Sequence, residues 1–73
     1  MRITDHAPLR YLQRVDPTEA FPGERLRAMY DRARRVRRDG VEGAAYLDDE
    51  TDALLVVDEM EGEIVTVLNG GPA

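Results

Sequence analysis

Residues 44–68 read AAYLDDETDALLVVDEMEGEIVTVL, in which three short apolar runs are separated by acidic turns. The runs Ala44–Leu47, Ala53–Val57 and Glu63–Leu68 are together rich in β-branched residues, and each has the length of one strand. The middle run is apolar at consecutive positions, which is typical of a strand covered on both faces. This half of the chain is therefore predicted to form an antiparallel meander with residues 53–57 at its centre.

The residues before this meander predict two helices. Asp5 is expected to cap a first helix that runs to about Val15, with Pro8 in the first turn, where a missing N–H costs nothing. A second helix is predicted from about Gly23 to Arg38, because one apolar stripe runs along it and Asp39-Gly40 follows as a stop signal. The stripe consists of Leu26, Met29, Tyr30, Ala33 and Val36.

The predicted element order is (β)-α-α-β-β-β, with Met1–Thr4 as a short first strand. Two N-terminal helices packed on one face of a small antiparallel sheet make a two-layer α+β domain. We expect one domain over residues 1–73, with residues 69–73 as a flexible tail. Because apolar residues occupy both faces of the sheet, we expect the face without helices to be buried against a protein partner or another copy of the chain.

Length and composition exclude several classes of protein. The 73 residues contain no cysteine, which excludes a disulfide framework and a cysteine-based zinc site. The longest apolar run, Ala53–Val57, is too short to span a membrane, so we expect a cytoplasmic protein or one carried in a virion. The acids of residues 48–52 lack the glycine and the spacing of a calcium loop. No metal, cofactor or small-molecule ligand is expected.

Charge is distributed very unevenly along the chain, whose net charge is −5. Residues 1–38 hold ten arginines and five acids, a net charge of +5, whereas residues 39–73 hold ten acids and no base, a net charge of −10. Such a split calls for an explanation, and a partner of opposite charge is one. All ten bases are arginine, which fits either a halophilic source or a GC-rich genome.

Both ends of the chain resemble the RelE/BrnT-like small toxin superfamily, which includes relatives in phages and mobile elements. The opening Ile3–Ala7, followed by Leu9–Tyr11, is similar to the start of that family's first helix, and Ile64–Leu68 is similar to its final strand. The resemblance implies the predicted fold. It also implies cleavage of RNA by basic and aromatic side chains on the sheet, and neutralisation by an antitoxin protein that lies across the sheet.

The chain departs from the family's pattern where that chemistry would lie. Its sheet half contains no arginine, lysine or histidine, and its only aromatic residue is Tyr46. RNA that approached this surface would meet ten carboxylates, which repel phosphate at ordinary salt. The departure weakens the prediction of a nuclease while leaving the prediction of the fold intact.

His6, Arg10 and Arg14 are the candidate catalytic residues. Their i, i+4, i+8 spacing places them on one face of the first helix, where a histidine could move a proton while two arginines hold a phosphate. The alternative is that they form the solvated face of an amphipathic helix. If the protein is an enzyme, this group predicts a ribonuclease.

Two groups of residues are candidates for partner binding. One group is a cluster without an acid among its members, Arg34, Arg35, Arg37 and Arg38. It could bind an acidic protein, nucleic acid or the acidic half of a neighbouring copy, or it could be a solvated surface. Val57 and Val67 are predicted on the sheet face that lacks helices. Tyr46 is the residue that RNA bases would stack on if an RNA site exists, and is otherwise an edge residue of the core.

Three functional hypotheses follow. The first is a small non-catalytic interaction protein on a RelE/BrnT-like scaffold, encoded by a virus or mobile element, which docks on a larger assembly or self-associates. The alternative is an RNA-cleaving toxin of a toxin–antitoxin pair. A DNA-mimicking acidic inhibitor ranks last, because it fits the acidic half but not the arginine-rich helices.

Overall fold

The computed structural model describes residues 1–69, which form two helices and one five-stranded sheet. The elements are β1 (Arg2–Ile3), α1 (His6–Arg14), α2 (Pro22–Arg32), β2 (Arg34–Val36), β3 (Ala44–Asp48), β4 (Ala53–Asp58) and β5 (Glu63–Asn69). The tail predicted at residues 69–73 lies outside the described residues except for Asn69, which ends β5. No helix in this described range is long and apolar enough to cross a membrane.

The sheet has the strand order β1-β5-β4-β3-β2. The predicted meander is confirmed, because β4 lies at the centre and pairs antiparallel with β3 and β5. At one edge β1 pairs parallel with β5 through two residues, which makes the sheet mixed. The predicted α+β class, with two helices packed on a sheet, is confirmed.

The core lies between the helices and one face of the sheet. Alternate residues of β4 point into it, because successive side chains of a strand point to opposite faces, and their partners on β5 lie on the same face. Its fully buried strand residues include Leu55, Val57, Ile64 and Val67, and the helices contribute Ala7, Tyr11, Leu26 and Met29. Burial of these apolar side chains holds the helices in position on the sheet.

The second helix ends six residues earlier than predicted. It ends at Arg32, Ala33 has an extended backbone, and Arg34–Val36 form β2 against β3. The prediction failed because a β-branched residue such as Val36 satisfies either a helical stripe or an alternating strand. Pairing with the edge of β3 gives residues 34–36 the backbone hydrogen bonds that a longer helix would have supplied.

The sheet face without helices is not formed by the residues that we predicted. Val57 and Val67 are fully buried beneath the helices, so the prediction that they line an open face is wrong. Their neighbours on β4, Leu54 and Val56, point to the opposite face and are themselves nearly inaccessible. The loop between β2 and β3 contributes to this cover, because Val41 lines a cleft together with Val56.

Candidate functional site

The candidate catalytic residues of α1 are engaged mainly in local contacts. His6 is exposed at the start of the helix, and Arg10 donates a hydrogen bond to Oε1 of Gln13 over 2.7 Å. Arg14 donates to the backbone carbonyl of Val67 over 3.0 Å. That carbonyl belongs to the part of β5 that extends beyond its pairing with β1, so Arg14 satisfies an acceptor at an open sheet edge. The structure therefore gives Arg14 a structural contact that the sequence did not predict.

The arginine cluster lies on β2 and in the loop that follows it, not on a helix. Arg34 is paired with Asp49 over 3.0 Å, and the Asp49 carboxylate raises the pKa of the guanidinium. Arg35 is paired with Glu59 over 3.1 Å. Within residues 1–69, Arg37 makes neither a hydrogen bond nor an ion pair. Two of the four arginines are thus already matched with acids of the same chain.

Contacts within the chain explain part of the uneven charge distribution. Arginines of the basic half reach acids of the acidic half in the pairs Arg2–Glu61, Arg32–Asp48, Arg32–Glu50, Arg34–Asp49 and Arg35–Glu59. Folding brings β2 and the end of α2 next to the acidic turns that follow β3 and β4. These pairs account for part of the charge split without a foreign partner.

Asp48 is a buried carboxylate, although the sequence predicted it in an acidic turn. It is only 1% exposed, and it accepts hydrogen bonds from Arg32 over 2.7 and 2.9 Å and from Thr51 over 2.7 Å. These donors lower the pKa of Asp48 to about 2. The alternation of Ala44, Tyr46 and Asp48 along β3 was the signal that could have identified it, because it puts the three on the face that carries the helices.

Tyr46 is held by contacts at the edge of the core. Its ring lies 5.1 Å from the ring of Tyr30, and its hydroxyl donates a hydrogen bond to Oε2 of Glu59 over 2.6 Å. Glu59 is also the partner of Arg35. The hydrogen bond to Glu59, together with burial, raises the pKa of Tyr46 to about 12. Its hydroxyl is therefore protonated near neutral pH and remains hydrogen-bonded to the Glu59 carboxylate.

A cleft of about 550 Å³ opens between the β2–β3 loop and the sheet face without helices. We call it the loop cleft. Its lining consists of Gly40, Val41, Glu42, Gly43, Val56, Asp58, Val65, Thr66 and Leu68. These described residues are apolar or acidic apart from glycine and threonine, and none of them carries a positive charge. The Arg35–Arg38 stretch lines a separate cavity of about 440 Å³ on the other side of Gly43.

Two backbone features shape the loop cleft. Gly40 and Gly43 have φ angles of 81° and 103°, which residues with a side chain rarely adopt. A Cβ on Gly43 would also lie 2.7 Å from the carbonyl oxygen of Val57. On the opposite wall, Val65 is an extra residue in β5, because Val56 pairs with Thr66 whereas Val57 pairs with Ile64. Neither feature follows from hydrophobic periodicity, so the sequence analysis did not find this site.

Among the described residues there is no group of three or more histidine, cysteine, aspartate or glutamate side chains that could hold a metal ion. The loop cleft has an apolar and acidic lining, and the cavity beside it is lined by arginines.

Comparison with known families supports the resemblance seen at the two ends of the chain. No curated protein and no solved structure matches. A family model described as "Putative RelE superfamily toxin domain" (Halo_toxin) matches residues 3–70, which is nearly the whole chain and includes both similar segments. The chain belongs to this RelE superfamily toxin domain family.

Proposed function

We propose that this toxin domain acts by binding a protein partner in the loop cleft, and that it does not itself cut RNA. The observation that carries the proposal is the chemistry of the cleft, which combines apolar Val41, Val56 and Leu68 with the carboxylates of Glu42 and Asp58. Apolar concave surfaces with a few polar groups are typical binding sites. Carboxylates at the rim oppose the approach of a phosphate backbone.

The contacts of the candidate catalytic residues support the same proposal. Arg14 is bonded to a backbone carbonyl, and Arg10 is bonded to Gln13 on its own helix. The Tyr46 hydroxyl, with a pKa of about 12, is a poor proton donor or acceptor near neutral pH. Arg14 and Tyr46 are therefore engaged in contacts that hold the fold together.

The RNA-cleaving toxin is the second candidate, and membership of a RelE superfamily toxin family favours it. In that case His6 would transfer the proton and Arg10 would hold the phosphate. The exposed His6 imidazole is free to contact a substrate, since it makes no hydrogen bond within residues 1–69. The two candidates thus require different surfaces of the molecule.

The test compares a blocked loop cleft with an altered α1 face. Thr66→Arg places a long side chain in the cleft, and Ala28→Arg adds the same side chain on the exposed surface of α2 as a matched control. Growth of a bacterial culture that expresses each variant is measured, and purified folded protein is incubated with total RNA. We expect Thr66→Arg to relieve growth arrest, whereas Ala28→Arg and His6→Ala retain it and the RNA stays intact.

RNA cleavage that His6→Ala abolishes in a folded protein would overturn the proposal and establish the nuclease. Light scattering of the purified protein at low and high salt identifies the kind of partner. A stable dimer that Thr66→Arg dissociates would mean that the protein partner is a second copy. A monomer would leave the loop cleft open for a different chain.

A further inference from the structure

We infer that the segment which enters the loop cleft carries an apolar side chain flanked by a lysine or arginine. This inference rests on the proposed function and adds to it the chemistry of the partner. It concerns a foreign protein segment; a second copy of this chain and a nucleic acid are outcomes that the experiment below separates from it.

The charged groups of the loop cleft all have one sign. Glu42 is exposed and makes no hydrogen bond or ion pair within residues 1–69. Asp58 uses its Oδ1 atom to accept the backbone N–H groups of Met60 and Glu61 over 3.1 Å, and no contact within the same range occupies its Oδ2 atom. Two carboxylates with open acceptor positions at one cleft can receive an ammonium or guanidinium group through charge-assisted hydrogen bonds.

None of the residues that line the loop cleft is an arginine. Arg34 and Arg35 are paired with Asp49 and Glu59, and the Arg35–Arg38 stretch lines the neighbouring cavity, not this one. Glu42 lies in the wall of a concave site and forms no ion pair within residues 1–69. The missing cation is therefore expected from the partner.

Apolar side chains provide the remaining contacts. Val41 and Leu68 are half-buried in the lining of the cleft, so an apolar side chain that enters it removes their exposed surface from water. The volume of about 550 Å³ lies within the range of clefts that bind small ligands and single peptide side chains. In a partner segment, an apolar residue would therefore contact the apolar lining of the loop cleft, and an adjacent basic residue would contact its carboxylates.

The wall formed by the loop is set by its own backbone. Gly43 fits closely against the carbonyl oxygen of Val57, and the positive φ angles of Gly40 and Gly43 turn the chain on each side of Val41 and Glu42. A wall that is shaped before binding has less conformational freedom to lose when the partner arrives. This geometry favours recognition of a short segment by the loop cleft.

The test selects phage-displayed random peptides on the folded, full-length chain. Wild type, Glu42→Lys and the control Glu24→Lys are used, because Glu24 is an exposed acid on α2, outside the cleft. We expect wild type to enrich peptides in which lysine or arginine adjoins an apolar residue. Glu42→Lys should weaken their binding by about tenfold or more, whereas Glu24→Lys leaves it within about twofold.

Several results would overturn the inference. They are enrichment of acidic peptides, absence of any enrichment, and basic peptides that bind Glu42→Lys as well as they bind wild type. A dimer that Thr66→Arg dissociates would identify a second copy as the occupant instead. In all of these cases the proposed function is judged separately by the growth and RNA assays, because a protein partner of other chemistry would still make Thr66→Arg inactive.

Discussion

Asp48 at the end of β3 holds Arg32, the last residue of α2, through two hydrogen bonds of 2.7 and 2.9 Å. The contact ties the C-terminal end of a helix to the sheet beneath it. Because the chain leaves the helix at this point with an extended Ala33, residues 34–36 are delivered to the edge of β3. One ion pair with a buried carboxylate thus marks where the helix ends and the additional strand begins.

Replacing Asp48 by asparagine should destabilise the domain at neutral pH. Folding lowers the pKa of the buried carboxylate from 3.8 to about 2, because the hydrogen bonds from Arg32 and Thr51 stabilise its ionised form. That stability is fully present above about pH 4 and is lost as the pH falls through about 2. We expect Asp48→Asn to lose about 2 kcal/mol of unfolding free energy at pH 7, measured by urea denaturation.

The pH dependence separates this effect from a general loss of packing. Between pH 4 and pH 2 the stability of Asp48→Asn should fall less steeply than that of wild type, since the titrating group is gone. Asp49→Asn is the matched control, because its pair with Arg34 is exposed and should contribute at most about 0.5 kcal/mol. If the unfolding free energies of Asp48→Asn and wild type fell equally steeply between pH 4 and pH 2, Asp48 would not be the group that titrates.

Glycine is required at position 43 more strictly than at position 40. Both residues have positive φ angles, but only at Gly43 would an added Cβ collide with backbone, 2.7 Å from the carbonyl oxygen of Val57. Gly40→Ala should therefore cost about 1 kcal/mol of unfolding free energy, and Gly43→Ala about 2–3 kcal/mol. Chemical denaturation of the two variants at one pH tests the order. Equal losses would mean that the loop relaxes freely around position 43.

The Tyr46–Glu59 hydrogen bond should appear as a late tyrosine titration. The neutral hydroxyl is favoured in the folded state, so the stability it contributes is present below about pH 10 and is lost as the pH rises through about 12. We expect Glu59→Gln to lower the pKa of Tyr46, as followed by tyrosinate absorbance, with Tyr46→Phe identifying the step. Glu61→Gln, whose acid pairs with Arg2, serves as the control. A late step that survives in Tyr46→Phe would belong to another tyrosine.

The sequence predicted those parts of the fold that depend on local pattern. The apolar run 53–57 identified the central strand, because a strand buried on both faces has few alternatives. The end of α2 was missed, since it depends on Asp48, 16 residues beyond Arg32. The loop cleft was missed because two positive φ angles and an extra residue in β5 create it, and periodicity records neither.

The same distinction applies to the candidate site. Periodicity grouped His6, Arg10 and Arg14 correctly on one helix but carried no information on what each guanidinium meets. Likewise, apolar character alone could not tell which face of the sheet Val57 and Val67 occupy, because a one-residue change in register exchanges the faces. Only the tertiary structure separates contacts within the chain from surfaces that remain for a partner.

Arg14 and Arg10 offer a direct comparison between a structural and a local role. Arg14→Ala removes the donor that satisfies the Val67 carbonyl at the open edge of β5, so we expect a loss of about 1 kcal/mol in urea denaturation. Arg10→Ala removes only an i, i+3 contact with Gln13 and should change the unfolding free energy by less than about 0.5 kcal/mol. Because an unsatisfied strand edge can pair with another chain, light scattering should also detect more association in Arg14→Ala than in Arg10→Ala. Two variants of equal stability and equal mass would refute the structural role of Arg14 and return it to the candidate catalytic face.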